Sequence, residues 1–210
     1  PDSFDILKKI YAGNIHIEDM QERKAYYGTI IDSNESCTVD DVLILNFQRP
    51  RSFTGQDMIE IHCHGGILVV QYIMRLLITN GAKPAEPGEF SKRAFLNGKI
   101  DLLQAESIAD TIHAQSESSL KISQHQLHGA LSQELSIIND TLIEQCSMLE
   151  TELDFSDENI QLADYNTISV QIDKLEKRLN RLLDSFTYGT LVKEGVKVVI
   201  TGKPNAGKSS

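Results

Sequence analysis

The sequence predicts an α+β N-terminal domain, then an α-helical bundle, then the first strand and phosphate loop of an α/β nucleotide-binding domain. Three observations predict it. Strand-forming runs bounded by turn residues are concentrated between residues 25 and 62. Apolar residues then recur every three or four positions between residues 127 and 186. Finally, Gly202-Lys203-Pro204-Asn205-Ala206-Gly207-Lys208-Ser209 satisfies G-x-x-x-x-G-K-[ST] in full.

Taken in order, Phe4, Leu7, Ile10 and Tyr11 follow helical spacing behind Asp2 and Ser3, either of which can cap a helix. Residues 25–31 and 42–47 are strand formers separated by the turn-like Asp32-Ser33-Asn34-Glu35-Ser36, which predicts an antiparallel pair. Met58–His62 alternates and reads as a third strand. After Gly65-Gly66, the densely apolar Ile67–Thr79 is a helix that Asn80-Gly81 can stop. Residues 1–98 thus form the first domain, expected to lack its first strand.

Pro84 and Pro87-Gly88 punctuate the chain, and Phe90, Ala94 and Phe95 can form the buried face of a short helix. Residues 99–193 are helical in character. Leu127, Leu131, Leu135, Ile138, Leu142, Cys146, Leu149 and Leu153 predict one long amphipathic helix, with Gly129 a mild weakness in it. The pattern breaks at 156–159, and Ile168, Ile172, Leu175, Leu179, Leu182 and Phe186 resume it as far as Tyr188-Gly189. Two such stripes pack on each other or on further helices, and stay partly exposed where those helices are missing. Residues 194–210 open the third domain, with a short apolar strand at 196–201 running straight into Gly202.

The composition is that of an ordinary globular protein, with 40% hydrophobic and 24% charged residues. No apolar run is long enough to span a bilayer, and no basic-then-apolar leader opens the chain. It begins at Pro1 without an initiator Met, so residues are expected to precede it. Cys37, Cys63 and Cys146 are isolated, which suits a reducing cytosol and argues against a disulfide framework or a zinc ribbon. A net charge of −10 argues against a broad surface for gripping nucleic acid phosphates.

Three stretches carry chemistry. In the terminal loop, glycines allow backbone N–H groups to close around phosphates where a Cβ would intrude. Lys208 is placed for the β and γ phosphates and Ser209 for Mg²⁺. The loop alone does not choose between GTP and ATP. In His62-Cys63-His64-Gly65-Gly66, two histidines share a strand face as a metal pair would, but no further ligands stand at a convincing spacing. A strand-to-helix turn is the favoured reading, and its glycines can also receive an anionic group. His113, His125 and His128 lie on polar helical stretches and read as solvated. In residues 87–102, Lys92, Arg93 and Lys99 form a local cationic cluster, either a solvated linker helix or a pocket for an anion.

Assembled, these stretches resemble the TrmE or MnmE family of tRNA-modification GTPases. The resemblance rests on Phe53-Thr54-Gly55-Gln56-Asp57 leading to Glu60 and His64-Gly65-Gly66, and then on Pro87-Gly88-Glu89-Phe90-Ser91. It continues through Arg93-Ala94-Phe95-Leu96-Asn97, Asp101-Leu102 with Gln104-Ala105-Glu106, and Leu153-Asp154-Phe155, and ends in the phosphate loop. It covers essentially the whole chain in order.

The resemblance implies a folate-binding, aminomethyltransferase-like N-terminal domain that forms a homodimer, and a helical domain into which a GTPase domain is inserted. It implies a cytoplasmic enzyme that hydrolyses GTP with Mg²⁺ and K⁺. With an FAD-dependent partner, such an enzyme adds an aminomethyl-type group to C5 of the wobble uridine of tRNA, using 5-formyl-tetrahydrofolate or a related one-carbon folate. Carried over residue by residue, Glu60 and Lys99 are folate-binding. Asn205, Ala206, Gly207, Lys208, Ser209 and Ser210 bind GTP, Ser209 also binds Mg²⁺, and Asn205 lies at the K⁺ site. No catalytic residue falls in these 210 residues, which alone are expected to hydrolyse no GTP. Contacts with tRNA are local or shared with the partner, and no residue is assigned to them. The alternative is a switch GTPase acting in assembly, its N-terminal domain a non-catalytic protein-binding module. A folate pocket at Glu60 and Lys99 discriminates the two.

Overall fold

A computed structural model describes residues 2–154, 165–195, 198–199 and 201–202. The chain divides into two compact units, Pro1–Ala105 and Glu106–Ser210.

The first unit contains α1 (Ser3–Ile10), β1 (Tyr11–Gly13), a 3-10 turn at Ile17–Asp19, β2 (Ala25–Asp32), β3 (Cys37–Phe47) and β4 (Met58–His62). α2 (Ile67–Thr79) and α3 (Glu89–Leu96) follow. The strands form an antiparallel sheet in the order β1-β2-β3-β4, so each pairs with its neighbours in sequence. Alternation decides the faces. Gly28 and Ile30 on β2 and Val42, Ile44 and Asn46 on β3 are buried, while Tyr27 and Leu43 between them are exposed. Leu7 and Ile10 of α1 and Ile73 and Leu76 of α2 close the buried face, with Ile59 and Ile61 of β4 at its side. Each such aliphatic side chain contributes about 1.5–3 kcal/mol when fully buried.

Three sequence expectations change here. Tyr11 does not continue the first helix but opens β1, opposite Ile30. Its ring lies against Gly13 and Gly28, register partners, and its hydroxyl donates to the Tyr27 carbonyl at 3.1 Å. A Cβ on either glycine would fall inside the ring's van der Waals envelope. β3 starts five residues earlier than its apolar run, at Cys37. Asp32 Oδ1 accepts the amides of Asn34 and Glu35 at 2.9 and 3.3 Å, and this closes a tight turn that lets the polar half of the strand pair. The Tyr72 hydroxyl of α2 lies 3.1 Å from Asp32 Oδ2 and 2.8 Å from Glu35 Oε2, tying the hairpin to the helix. Finally, α3 buries only Ala94, with Phe90 and Phe95 53% and 40% exposed. The helix is held by polar bonds at its end rather than by an aromatic face.

Both α2 and α3 stop by the same device. Gly81 and Gly98 adopt φ values of 108° and 66°, and the two amides after each helix return to its last carbonyls. These are Schellman closures, which glycine makes without steric cost.

α4 (Leu102–His113) carries the chain from the first unit into the second, where α5 (Glu117–Leu127), α6 (Ala130–Asp154) and α7 (Tyr165–Glu194) follow. The long helix expected over 127–153 is α6, which starts at Ala130 and runs to Asp154, while Leu127 is the last residue of α5. Gly129 takes φ 81°, so it ends α5 rather than weakening α6. Ser116 caps α5 by accepting the Ser119 amide at 3.0 Å. α5 packs on both α6 and α7, and Arg178 of α7 meets Glu134 of α6 at 2.6 Å. Ile138, Ile168 and Leu175 are buried, but Leu135, Leu142, Leu179 and Phe186 on the same stripes stay exposed. The last helix passes Tyr188-Gly189 and ends at Glu194, because the left-handed turn comes at Gly195, with φ 74°. The break expected at 156–159 lies outside the described residues. So does most of the strand expected at 196–201; of it, Val198, Val199 and Thr201 are described and lie in no regular element.

Three outcomes follow from this structure. Gly28→Ala, which drives a methyl into the Tyr11 ring, is expected to lower stability by about 2 kcal/mol in urea unfolding. Gly189→Ala meets nothing within 4 Å and stabilises its helix by up to about 1 kcal/mol. The third concerns Asp40, whose carboxyl is held below its usual range, first by the His64 amide 2.8 Å away and then by the His64 ring. The stabilisation from this contact is complete above the ordinary Asp pKa and is lost as pH falls through the lower folded-state value. Asp40→Asn should therefore flatten the acid limb of a stability–pH profile.

Candidate functional site

The residues expected to bind ligand in the first unit are Glu60 on β4 and Lys99, three residues beyond the end of α3 and bonded to the loop 48–57. The loop is built from its own polar groups. Ser52 Oγ donates to the Gln56 carbonyl, Thr54 Oγ1 accepts the Gln56 amide at 3.3 Å, and Asp57 accepts the Arg49 amide at 2.9 Å. Ser52 and Thr54 are buried by this folding. Gly55 has φ 73°, and a Cβ there would approach Lys99 Cγ to 3.1 Å and Asn97 Cβ to 3.2 Å. Only glycine lets the end of α3 lie this close.

α3 returns the contact with side chains. Asn97 Nδ2 donates to the Thr54 carbonyl at 2.7 Å, Arg93 Nη1 reaches Gln56 Oε1 at 3.4 Å, and Lys99 Nζ donates to the Pro50 carbonyl at 3.0 Å. The Schellman closure at Gly98 aims Lys99 at the loop. Sequence reasoning missed these ties, because a hydrogen bond to a carbonyl leaves no residue pattern. It also missed the reciprocal cap of α4, for which the spacing D-x-x-Q was the available signal. Asp101 Oδ1 accepts the Gln104 amide at 2.8 Å, and Gln104 Oε1 accepts the Asp101 amide at 3.0 Å.

Glu60 stands on the open face of the sheet, opposite Leu45 in register. His62 lies two residues on, opposite Leu43, which in turn faces Tyr27. The Glu60 carboxylate is 45% exposed and lies 3.4 Å from His62 Nε2. The same face carries Tyr27 and Leu43, 67% and 44% exposed. Glu60 and Lys99 belong to the same unit, but among the described residues no hydrogen bond or ion pair joins them.

The other candidates separate. His62 pairs with Glu60, whereas His64 lies beyond the strand end and pairs with Asp40 at 2.8 Å. The two histidines are thus turned to different carboxylates. Among the described residues no group of three or more His, Cys, Asp or Glu can hold a metal ion. The cationic cluster of Lys92, Arg93 and Lys99 does not gather as one pocket, since Arg93 is paired with Glu89 and Lys99 sits on the loop. Cys37, Cys63 and Cys146 are free thiols. An apolar groove of about 570 Å³ lies on the other side of β4, lined by Ile6, Ile59, Ile61, Ile73 and Leu77, and includes neither Glu60 nor Lys99. The phosphate loop, with Asn205, Ala206, Gly207, Lys208, Ser209 and Ser210, lies outside the described residues. No helix among the described residues is long and apolar enough to cross a membrane.

Residues 1–99 match the family model described as the N-terminus of GTP-binding protein TrmE, and residues 102–207 match that of the MnmE helical domain. The tRNA modification GTPase MnmE of Chlorobium chlorochromatii is 46% identical over 99% of this chain and 44% of its own length. That of Chlorobaculum tepidum is 44% identical over 98% of this chain and 43% of its own length. That of Natranaerobius thermophilus is 39% identical over 100% of this chain and 46% of its own length. The chain thus spans less than half the length of each of these relatives. With both of its units matched in order, the chain belongs to the TrmE, or MnmE, family of tRNA modification GTPases, of which it carries the N-terminal and helical domains.

Proposed function

We propose that the full-length protein hydrolyses GTP in tRNA modification and, with an FAD-dependent partner, adds an aminomethyl-type group to C5 of the wobble uridine. A one-carbon tetrahydrofolate is the donor, and the protein works as a cytoplasmic homodimer joined through its N-terminal unit. The observation that carries the folate part is the open sheet face, which the Glu60 carboxylate shares with the exposed Tyr27 and Leu43. A flat heteroaromatic ring with N–H donors at one edge fits that chemistry, because the apolar surface covers its face and the carboxylate accepts its donors. A bound one-carbon folate supplies the carbon that is transferred. Glu60 fixes the ring's edge, and Lys99, held on the Pro50 carbonyl, offers an ammonium to a carboxylate or carbonyl oxygen.

The nucleotide part is supported by sequence. By the motif, Asn205, Ala206, Gly207 and Ser210 are nucleotide-binding positions, Lys208 is the residue for the β and γ phosphates, and Ser209 the one for Mg²⁺. Asn205 lies at the K⁺ position. The relatives are named tRNA modification GTPases, which supports both the nucleotide and the RNA substrate.

Two measurements test the reading. In titration calorimetry of the full-length protein, 5-formyl-tetrahydrofolate is expected to bind, and Glu60→Gln to weaken it by about 2 kcal/mol, roughly thirtyfold. No heat from a well-folded dimer would remove the folate role and favour a switch GTPase with a protein-binding N-terminal domain. In GTP hydrolysis assays, Lys208→Ala in the full-length protein should cost on the order of a hundredfold or more. A polypeptide of these 210 residues should turn over no GTP.

A further inference from the structure

The first unit gathers cations that are far apart in sequence. The turn at residues 21–24 contributes Arg23 and Lys24, the turn at 48–51 contributes Arg49 and Arg51, and Lys99 joins them from beyond α3. Backbone bonds hold the turns side by side. The Arg23 amide donates to the Asn46 carbonyl at 2.9 Å, and Arg23 Nη2 to the Arg51 carbonyl at 2.9 Å. Asn46, buried at the end of β3, donates from Nδ2 to the Met20 carbonyl at 3.2 Å. Lys99 braces Pro50, and Asp57 braces the Arg49 amide. The surface is built before any ligand arrives.

Its sign is also decided by burial. Five cations stand against two carboxylates, Glu22 and Asp57. Arg51 Nη2 lies 2.7 Å from Glu22 Oε2, and Arg23 Nε lies 3.6 Å from Glu22 Oε1. The Glu22 side chain is only 16% exposed, while Arg51 and Arg23 are 70% and 58% exposed. The carboxylate is thus sunk beneath the guanidinium groups, and solvent meets the positive charge. Arg49 is exposed, and its guanidinium makes no hydrogen bond or ion pair among the described residues. The exposed ring of Phe53 follows two residues after Arg51 and offers a face on which a base can stack. In a chain of net charge −10, such a concentration of cations is a local device.

We propose that the paired turns at 21–24 and 48–51 are a contact surface for the phosphate backbone of tRNA. The proposal rests on the tRNA-modification reading above. It adds the place of contact, with guanidinium groups as the bidentate partners that phosphates favour.

The test is binding of an unmodified tRNA transcript to the full-length protein, followed by fluorescence anisotropy over a range of salt concentrations. The double variant Arg49→Gln, Lys24→Gln leaves the Glu22–Arg51 pair intact. It should bind on the order of tenfold more weakly near 0.1 M salt, with a salt slope smaller by about 2. Arg49→Lys, which keeps the charge, should retain most of the affinity. Lys121→Gln on α5 is the matched charge control and should bind as the wild type does. Double-variant affinity and slope equal to wild type overturn the proposal, leaving the patch to an acidic protein partner. An equal loss per removed charge in Lys121→Gln also overturns it, because bulk charge would then be the cause. A wild-type protein that binds no tRNA overturns the tRNA-modification reading itself.

Discussion

The first unit depends on the close approach of the end of α3 to the loop 48–57. Two glycines make it possible. Gly98, in the left-handed region, turns the chain so that Lys99 faces the loop, and Gly55 leaves no Cβ to hold the segments apart. Asn97 and Lys99 then satisfy the carbonyls of Thr54 and Pro50. An unpaired carbonyl in such a partly buried loop costs about 1–3 kcal/mol, so these bonds define the loop as well as hold it. The two most distinctive stretches, Phe53–Asp57 and Arg93–Asn97, are in this sense one structural object.

The sheet serves two surfaces through one alternation. Its inner face is filled from α1 and α2, and its outer face keeps Glu60, His62, Tyr27 and Leu43 toward solvent. The turn at the end of β3 adds a third surface, the cationic one, because buried Asn46 fixes the neighbouring turn in place. An acidic chain can therefore present chemically opposed regions without changing its overall charge. Short rigid turns and one buried amide suffice.

In the second unit the same economy appears in glycine placement. Gly129 and Gly195 occupy left-handed positions and end helices, whereas Gly189 lies within α7. A glycine in sequence thus carries two opposite meanings, a stop or a tolerated weak point, and only the dihedral decides between them. The apolar stripes of α6 and α7 are half covered, with Ile138 and Leu175 inside and Leu142 and Leu179 exposed.

Much of the first unit was legible in the sequence. The β2–β3 hairpin, β4, and α2 with its glycine stop followed from local pattern, because alternation and helical spacing are intrinsic to one segment. The motifs identified the family, and Glu60 and the phosphate loop were named from them. What local pattern could not carry was anything that joins distant segments. Tyr11 left the helix for a strand because its ring needed the Gly13–Gly28 surface. Phe90 and Phe95 were read as a buried face, but polar bonds from Asn97 and Arg93 set the seating of α3. Lys99 was selected by resemblance, yet its place beside Pro50 depends on Gly55, forty-four residues earlier. The cations of two separate turns became one surface only when β3 brought the turns together. The sequence by itself determined the element types and the chemistry available, because those reside in single segments. The tertiary structure decided which groups meet, because hydrogen bonds to backbone carbonyls and contacts across glycines leave no periodic trace.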